Sequence, residues 1–546
     1  MNRIFTLIFS FILLAGALSL NAQERYLDEV FTDIEVQDSV IYGSNTTIIT
    51  ALNDPPLPPA RRPLFVNVLT PSGDTDTERP LILLFHTGNF LPQLVNGQIN
   101  GNINDPYLNV LAGRLTRMGY VVGVVDYRQG WNPISTDQEE RTNTLLNAAY
   151  RGIQDANTCV RFFRRSVAEQ ANPFGIDPSK IVTFGLGTGG YIALGAATLD
   201  QYEDVVLPQF IGSDINGDGV PDPFVIDFIN GDPFALEVGV NPFTGDTLCF
   251  VNHPGFSSEI QLGVNLGGAL GDSTWIDTSD PPVMSFHVPT DPFAPYTEGT
   301  VIVPTTGDFV VDVIGSFRIS EISNAIGNNS VWDNATFTDP YSQAANSRNL
   351  GNEGVFPFPR QDWDLTDDGV DNPTNVEASP WEFWDETFWS TEPFGQLTLS
   401  GDGAPCQNIP IDFCNWHIIS LMNNPDMTVA KGTAYQDSIL GYFAPRACVA
   451  LDLPCRANFE DSATEELLPT DLVSATPNPA SDFIDLTSEL KIISVEIVGI
   501  DGRVISRYNN LNHNNYRLDN LSELSGLHVI NVRLEEGLVS KTVHLE

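Results

Sequence analysis

The chain has 546 residues, of which 42% are hydrophobic, and its 70 acidic and 26 basic residues give a net charge of −44 at pH 7. This length and composition allow one large folded domain with smaller additions and exclude a mainly disordered chain. The negative charge argues against nucleic acid and against an anionic membrane as partners. We interpret the acidity as a solvated surface rather than as a site for a cationic substrate.

The N-terminus has the features of a secretory signal peptide. Arg3 precedes an apolar run from Ile4 to Leu18, and small residues follow at Asn21 and Ala22. The run is too short for a spanning helix. We therefore expect residues 1–22 to be a signal peptide and the mature protein to be exported and soluble.

The chain has six cysteines, an even number that suits an oxidising compartment. Fifteen connectivities are open. The short spacings of Cys406 from Cys414 and of Cys448 from Cys455 would allow two local loops. Cys159 lies in a helical pattern and is equally compatible with a buried free thiol.

Apolar runs of strand length alternate with helical patterns in the first half of the chain. In the run 79–86 the residues 81–85 are continuously apolar and follow a proline, which is typical of a strand buried on both faces. Because strands and helices alternate, we predict an α/β fold with a parallel sheet flanked by helices. The predicted strands are 64–70, 79–86, 120–126 and 181–186, and the predicted helices are 108–118, roughly 144–170 and 437–451.

The stretch 181–194 combines a buried strand, a glycine-dense turn and an apolar helix. This is the layout of a nucleophile elbow, G-x-S-x-G, in which small residues lie two places before and two places after the nucleophile. Gly185 and Gly189 fill those places, and Gly187 stands where the serine should be. Centring the turn on Thr188 would put Leu186 where a side chain clashes. The pattern predicts a catalytic turn that lacks the attacking atom.

Several motifs share an order and spacing with a known family. They are His86-Thr87-Gly88-Asn89-Phe90, Asp126-Tyr127-Arg128, Gly175-Ile176-Asp177-Pro178 and the elbow. Together they resemble the carboxylesterase-like α/β-hydrolases over about residues 60–300. The resemblance implies an α/β-hydrolase sheet flanked by helices with insertions.

The resemblance also implies roles for individual residues. The segment His86, Thr87 and Gly88, with the N–H of Thr188, would supply oxyanion-type donors. Asp291 would be the acid, in the turn after the strand 283–288. The base should follow the acid, and His417 is the histidine downstream of Asp291 within this domain, although a structural role for it is equally open.

A calcium-loop spacing occurs in the predicted insertion at about 205–255. Gly219 stands at the sixth place of the loop, where a sharp turn is needed, and Val225 replaces the usual glutamate at the twelfth. We expect Ca²⁺ here, with an acidic surface turn as the alternative, and no motif indicates an organic cofactor. The ligands would be Asp214, Asn216, Asp218, Val220 (through its carbonyl) and Asp222.

A second insertion is predicted at about 297–440. It contains a looser acidic run, 362–371, and an aromatic run, 381–389, which would line a carbohydrate or apolar cleft or pack in a cap. The hydrolase-like domain is thus expected over 24–456, followed by an acidic linker at 457–472.

The C-terminal residues 473–546 predict a small β-sandwich. A Pro477-Asn478-Pro479 opening precedes short alternating strands, an Asp501-Gly502 hairpin turn and a closing strand with Lys541. These features resemble the sorting domain of type IX secretion substrates. The resemblance implies the outer-membrane type IX secretion machinery as a partner and a secreted or cell-surface location in a Gram-negative bacterium. An ordinary ligand-binding β-domain is the alternative.

Three functions fit these observations. The first is an esterase-like pseudoenzyme that serves as a binding or structural module for a small-molecule, ester or glycan ligand. The second is an active extracellular carboxylic-ester hydrolase with a displaced nucleophile or an activated water. The third is a calcium-stabilised surface adhesin. Gly187 favours the first over the second.

Overall fold

The computed structural model describes residues 23–52, 57–96, 100–215, 217–302, 309–359, 377, 428–459, 468–499, 504–508, 511–519, 521, 524–535 and 537–545. They form two compact units, which we treat separately. The first unit ends at Phe459, and the second comprises the described residues from Leu468 onwards. The signal peptide, the runs 362–371 and 381–389, Cys406, Cys414 and His417 lie outside the described residues.

Strands and helices alternate through the first unit, as the sequence predicts. They are β1 Ile34–Thr47, β2 Ala60–Pro71, β3 Arg79–Phe85, α1 Gln93–Asn96, α2 Pro106–Arg117, β4 Val121–Asp126, α3 Gln138–Glu169, β5 Ile176–Leu186, α4 Thr188–Thr198, α5 Asp227–Asn230, β6 Gly239–Val240, β7 Thr247–Cys249, β8 Leu262–Leu266, β9 Ala269–Leu270, β10 Val283–His287, β11 Glu298–Ile302, β12 Phe309–Gly315, α6 Ser316–Ile326, α7 Pro340–Asn346, β13 Val355–Pro357 and α8 Val429–Ala450.

The central sheet has the strand order β1-β2-β4-β3-β5-β8-β10-β13. Strand β2 is antiparallel to both of its neighbours, and every pair from β4–β3 to β10–β13 is parallel. This mixed sheet with flanking helices is the esterase-like α/β architecture that the motifs predict. The short strand β13 belongs to this sheet although it falls inside the predicted insertion 297–440, because three residues are too few to form a recognisable pattern.

Both faces of the sheet are covered by helices. In β3, Ile82 and Leu84 pack into a cluster with residues of α2 and α8, whereas Leu81, Leu83 and Phe85 pack against α3 and α4. Burial on both faces explains why β3 is an unbroken apolar run. None of the described helices has both the length and the apolar character needed to cross a membrane.

Two helices begin earlier than predicted, each directly after a residue whose side chain caps the helix. Helix α3 begins six residues before the predicted start, where the Asp137 side chain accepts a hydrogen bond from the N–H of Glu139. Helix α8 begins after Thr428, whose side chain accepts from the N–H of Lys431. Cys448, near the end of α8, forms a disulfide with Cys455, which is one of the two local loops that the spacing allows. Cys159 is a buried free thiol.

The second unit is an antiparallel sheet. Its strands are β14 Val473–Thr476, β15 Phe483–Gly499, β16 Val504–Tyr508, β17 His513–Asp519, β18 Gly526–Leu534 and β19 Gly537–Leu545. All six are joined by hydrogen bonds into one sheet centred on β15, so the strand pairing does not confirm the predicted sandwich. The sequence analysis did not predict β17, because its run His-Asn-Asn-Tyr-Arg-Leu-Asp is too polar to show the alternation of apolar and polar residues that is typical of a strand.

Candidate functional site

The turn between β5 and α4 has the geometry of an elbow. Gly187 adopts φ 52° and ψ −115°, a conformation that residues with a side chain rarely adopt. Its N–H donates to the Leu266 carbonyl at 2.8 Å, and its own carbonyl accepts from the N–H of Gly190 at 2.8 Å. The residue at the tip of this strand-to-helix turn therefore has no side-chain atom that could attack a substrate.

The glycines that flank the tip are required by close backbone contacts. A Cβ atom on Gly185 would lie 1.9 Å from the Gly189 carbonyl oxygen. A Cβ atom on Gly189 would lie 2.2 Å from the Phe85 carbonyl oxygen in β3. The small residues that the sequence pattern places on both sides of the nucleophile position are thus needed for helix α4 to approach the sheet.

The segment after β3 is folded back beside the elbow. A Cβ atom on Gly88 would lie 2.5 Å from the Cα atom of Gly101, so the two glycine backbones pack against each other. The next residue, Asn89, has φ 54°, and its carbonyl accepts a hydrogen bond from the Trp131 indole at 2.7 Å. These contacts hold Thr87 and Asn89 at the wall of a cavity that Gly187 and Thr188 also line.

His86 is fully buried and neutral. Its Nδ1–H donates to the Thr87 carbonyl at 2.5 Å, and its ring stacks on Tyr127 with 4.3 Å between centroids. The Tyr127 hydroxyl donates to the His86 carbonyl at 2.9 Å. Burial lowers the pKa of His86 to about 4. His86 therefore supports the segment 86–88, for which the resemblance implies hydrogen-bond donors, and it is not available as a base.

We expect stability to depend on His86 below pH 6.5. Between pH 6.5 and 4 the unfolded chain binds a proton that folded His86 does not, so the free energy of unfolding falls by up to ~1.4 kcal/mol per pH unit as the pH is lowered. The His86→Asn variant keeps an amide donor for the Thr87 carbonyl and should have a flatter profile, measured by urea unfolding at pH 7.5, 6 and 5. His513→Asn, at an exposed histidine, should keep the wild-type slope, and a slope unchanged in His86→Asn would contradict the assignment.

Asp291 lies in a turn that begins just after β10. Its Oδ1 atom accepts from the N–H groups of Phe293 and Ala294 at 2.8 and 3.3 Å. Burial and then the charge of Asp291 raise the pKa of Tyr191, so this turn faces helix α4 beside the elbow. The family resemblance implies Asp291 as the acid, and this role stays a prediction.

A buried histidine, His287, lies behind this turn. The Nε2–H of His287 donates to the Ala294 carbonyl at 3.0 Å, and its Nδ1 accepts from the Ser316 hydroxyl at 2.7 Å. Asn265 donates to Ser316 Oγ at 3.0 Å and accepts from the N–H of Gly268 at 2.7 Å. This network is fully buried and connects the Asp291 turn to the loop that follows β8. Leu266, the last residue of β8, accepts the hydrogen bond from the Gly187 N–H in the elbow. The one feature of the sequence that indicates this network is Asn265, a polar residue inside the apolar run of β8.

The base is expected after Asp291 in the chain, where β13 is the last strand of the central sheet. Strand β13 ends at Pro357, and the N–H of Phe358 donates to the His287 carbonyl at 2.9 Å. The next histidine in the sequence is His417, outside the described residues. No described histidine follows β13 in the first unit.

An apolar cavity of about 160 Å³ adjoins the elbow. Thr87, Asn89, Gly187 and Thr188 form one end of it. Trp275 also lines the cavity, and its indole N–H donates to the Asp204 carbonyl at 2.8 Å. Further lining residues come from α3, α4, β9, the turn after β10, the predicted insertion at 205–255 and the β11–β12 hairpin. The sequence did not predict this cavity because its walls come from segments far apart in the chain.

The predicted calcium loop is held by backbone hydrogen bonds. Asp214 accepts from the N–H groups of Gly217 and Gly219, and Asp222 accepts from the N–H of Ile215. Asn216 lies outside the described residues. Within the described part of the chain, the three carboxylates whose oxygens lie within 4.8 Å of one another are found elsewhere, at Asp200, Asp277 and Asp280. Calcium at 214–222 therefore stays a prediction.

Comparison with solved structures returns esterases at low identity. The native esterase 2 of Thermogutta terrifontis is 17% identical, with a TM-score of 0.25, over 48% of this chain and 72% of that one. A bifunctional GH43-CE protein from Bacteroides eggerthii is 16% identical, with a TM-score of 0.27, over 54% and 32%. A truncated carbohydrate esterase from gut microbiota is 14% identical, with a TM-score of 0.26, over 55% and 86%.

The C-terminal unit has a clearer relationship. No curated protein matches the chain. Residues 474–546 match the family model of the secretion system C-terminal sorting domain. Such a domain is recognised by the type IX secretion system, which implies a secreted or cell-surface protein. The chain therefore joins a unit built on a mixed α/β sheet to a C-terminal unit that matches the secretion system C-terminal sorting domain.

Proposed function

We propose that this protein is an exported α/β-hydrolase-fold binding module that is degenerate at the nucleophile. One observation carries the proposal: Gly187 has the elbow conformation, with φ 52° and ψ −115°, and offers no side chain. Nucleophilic ester hydrolysis needs an activated side chain at that place. A Gram-negative source and export by a signal peptide belong to the same proposal.

What remains of the site is suited to binding. The N–H of Thr188 lies at the start of the 11-residue helix α4, and backbone donors in this position stabilise a carbonyl or an anionic group. Thr87 and Asn89 add polar atoms to the lining, whereas most of the other lining residues are apolar. The arrangement fits a ligand with one polar end and an apolar body.

An active carboxylic-ester hydrolase is the alternative that a specific observation favours. The charge of Asp291, the residue that the family resemblance implies as the acid, acts on Tyr191 in α4. Such an enzyme would need a displaced nucleophile or a water activated by Asp291 and His417. The adhesin hypothesis depends on calcium and on the aromatic run 381–389.

A p-nitrophenyl ester assay distinguishes these functions. We expect no turnover by the wild type and at least tenfold more hydrolysis by Gly187→Ser, because the serine would enter a turn that already has the nucleophile's backbone angles. Thr188→Ser is the matched control, since it places the same hydroxyl one residue further on, and it should gain nothing. Wild-type turnover that disappears in Asp291→Ala would refute the binding-module proposal and support the hydrolase.

We also propose that the loop 214–222 binds calcium. Its Gly217 and Gly219 adopt φ +79° and +89°, which lets the loop turn sharply with its acidic side chains on the same short segment. Chelator should lower the melting temperature of the wild type by several degrees and leave Asp218→Asn almost unchanged. A wild-type melting temperature that chelator does not move would remove the site.

A further inference from the structure

We infer that Arg348 and Tyr296 form a second binding site, which takes the carboxylate of a small organic acid at the carboxyl end of the strand pair β10–β13. Neither side chain is among the described residues that line the cavity beside the elbow. The inference therefore goes beyond the proposed function and does not depend on what that cavity binds.

Strands β10 and β13 bring the two side chains to the same place. The strands are parallel, and His287, the last residue of β10, lies opposite Pro357, the last residue of β13. The Tyr296 ring lies beside the His287 ring, with 5.6 Å between centroids. The Arg348 Nε–H donates to the Pro357 carbonyl at 2.8 Å. Both side chains thus lie at the carboxyl end of these strands, which is the end where open α/β sheets bind their ligands.

The Tyr296 hydroxyl is a buried donor that lacks an acceptor. Its oxygen is buried and has no hydrogen-bond partner among the described residues. The ring contacts the aromatic rings of His287 and Phe317, with 5.5 Å between the Tyr296 and Phe317 centroids. Burial raises the pKa of Tyr296 to about 12, so the hydroxyl keeps its proton at neutral pH. An unpaired buried donor is unfavourable, and a bound acceptor would remove that penalty.

The guanidinium of Arg348 has unused donors. Its Nε atom bonds to Pro357, but its two Nη atoms form no hydrogen bond or ion pair with any of the residues that the structure describes. Burial lowers the pKa of Arg348, and the nearby Tyr296 hydroxyl acts in the opposite direction. The positive charge of Arg348 in turn opposes the rise in the pKa of Tyr296. The two groups are therefore close enough to act on one bound anion.

Arg348 lacks a carboxylate partner although this part of the chain is strongly acidic. Residues 181–359 contain two basic residues, Arg318 and Arg348, among many aspartates and glutamates. Arg318 pairs with Glu298 at 3.1 Å and also with Glu321. Glu353, five residues after Arg348, pairs with the buried Arg446 instead. Arg348 thus keeps a positive charge that no described carboxylate compensates, and this charge favours a bound anion.

The donors fit a carboxylate better than other anions. The two Nη groups of a guanidinium match the two oxygens of a carboxylate in a bidentate pair, and the Tyr296 hydroxyl adds a third donor. A phosphate dianion would bring two negative charges to a single cation, in a chain whose net charge is −44. A chloride ion has the right charge but cannot form the bidentate pair. The site is therefore assigned to the carboxylate group of a small organic acid.

Saturation-transfer NMR of the mature protein with acetate at pH 7 tests the site. We expect saturable binding of acetate that an equal concentration of chloride does not displace. Tyr296→Phe removes only the hydroxyl oxygen and should weaken acetate binding about tenfold, because a hydrogen bond to a charged group is lost. Arg348→Gln removes the cation as well as the bidentate pair and should weaken the binding by more than about tenfold. Arg318→Gln is the matched control, since it removes an arginine that is already paired, and it should keep the wild-type affinity.

The inference fails if the wild type shows no saturable binding of acetate, or if Arg348→Gln binds acetate as tightly as the wild type. Displacement of acetate by an equal concentration of chloride would overturn the assignment to carboxylates. If Arg348→Gln does not fold by circular dichroism, Tyr296→Phe decides the location, because phenylalanine fills nearly the same space, and an unchanged affinity would overturn the site. None of these results bears on the ester assay of Gly187→Ser, so the proposed function is tested separately.

Discussion

Gly189→Ala is expected to destabilise the first unit by about 3 kcal/mol, at the upper end of the range for overpacked sites. The added Cβ atom would lie 2.2 Å from the Phe85 carbonyl oxygen and 2.8 Å from the His86 carbonyl oxygen. Both contacts are with backbone at the centre of the sheet, so no side-chain rotation can relieve them. Helix α4 would have to move away from β3, and the elbow would move with it.

Urea unfolding followed by tryptophan fluorescence measures this loss specifically. All eight tryptophans precede residue 460, so the signal reports on the first unit alone. Gly195→Ala is the matched control, because it lies in the same helix and the three atoms nearest to its Cβ atom would all belong to the Ile153 side chain, with Cδ1 at 2.4 Å. That side chain can rotate, and alanine is a better helix former than glycine by about 1 kcal/mol. Equal losses in the two variants would show that the backbone contact is not the cause.

The elbow was predictable because its geometry requires particular residue types at a fixed spacing in the sequence. Gly185 and Gly189 are required by backbone contacts, and a sharp strand-to-helix turn leaves few alternatives. The parallel sheet was predictable for a similar reason, since strands buried on both faces are continuous apolar runs. Local rules of this kind need no knowledge of distant parts of the chain.

The rest of the site depends on contacts between distant residues. The network of Asn265, His287 and Ser316 joins β8, β10 and α6, and nothing in their local sequences pairs them. Strand β13 is only three residues long, so its place in the sheet depends on its partner β10. The cavity likewise combines α3 with an insertion and a hairpin. His417 as a base and calcium at 214–222 stay predictions.

The second large effect is expected at Asp155, on the face of α3 that covers the sheet. Its carboxylate pairs with Arg128, with 2.8 Å between Nη2 and Oδ1, and accepts the Arg128 backbone N–H at 2.8 Å. The side chains of Arg128 and Asp155 are 2% and 0% exposed. Asp155→Asn keeps the size of the side chain but leaves the guanidinium buried without its counter-charge. We expect a loss of about 3–5 kcal/mol in the free energy of unfolding, measured by the same fluorescence titration.

The same helix provides a control that differs mainly in exposure. Arg165 and Glu169 form a pair at 2.7 Å near the end of α3, with side chains 41% and 51% exposed. Water solvates both charges whether or not they pair, so Glu169→Gln should cost about 0.5 kcal/mol or less. The two variants remove one carboxylate charge each from arginine pairs of nearly equal length on one helix. A difference of several kcal/mol between their losses in the free energy of unfolding would therefore measure the effect of burial. Small and similar losses in both variants would instead mean that Arg128 reaches water or another acceptor when its partner is neutral.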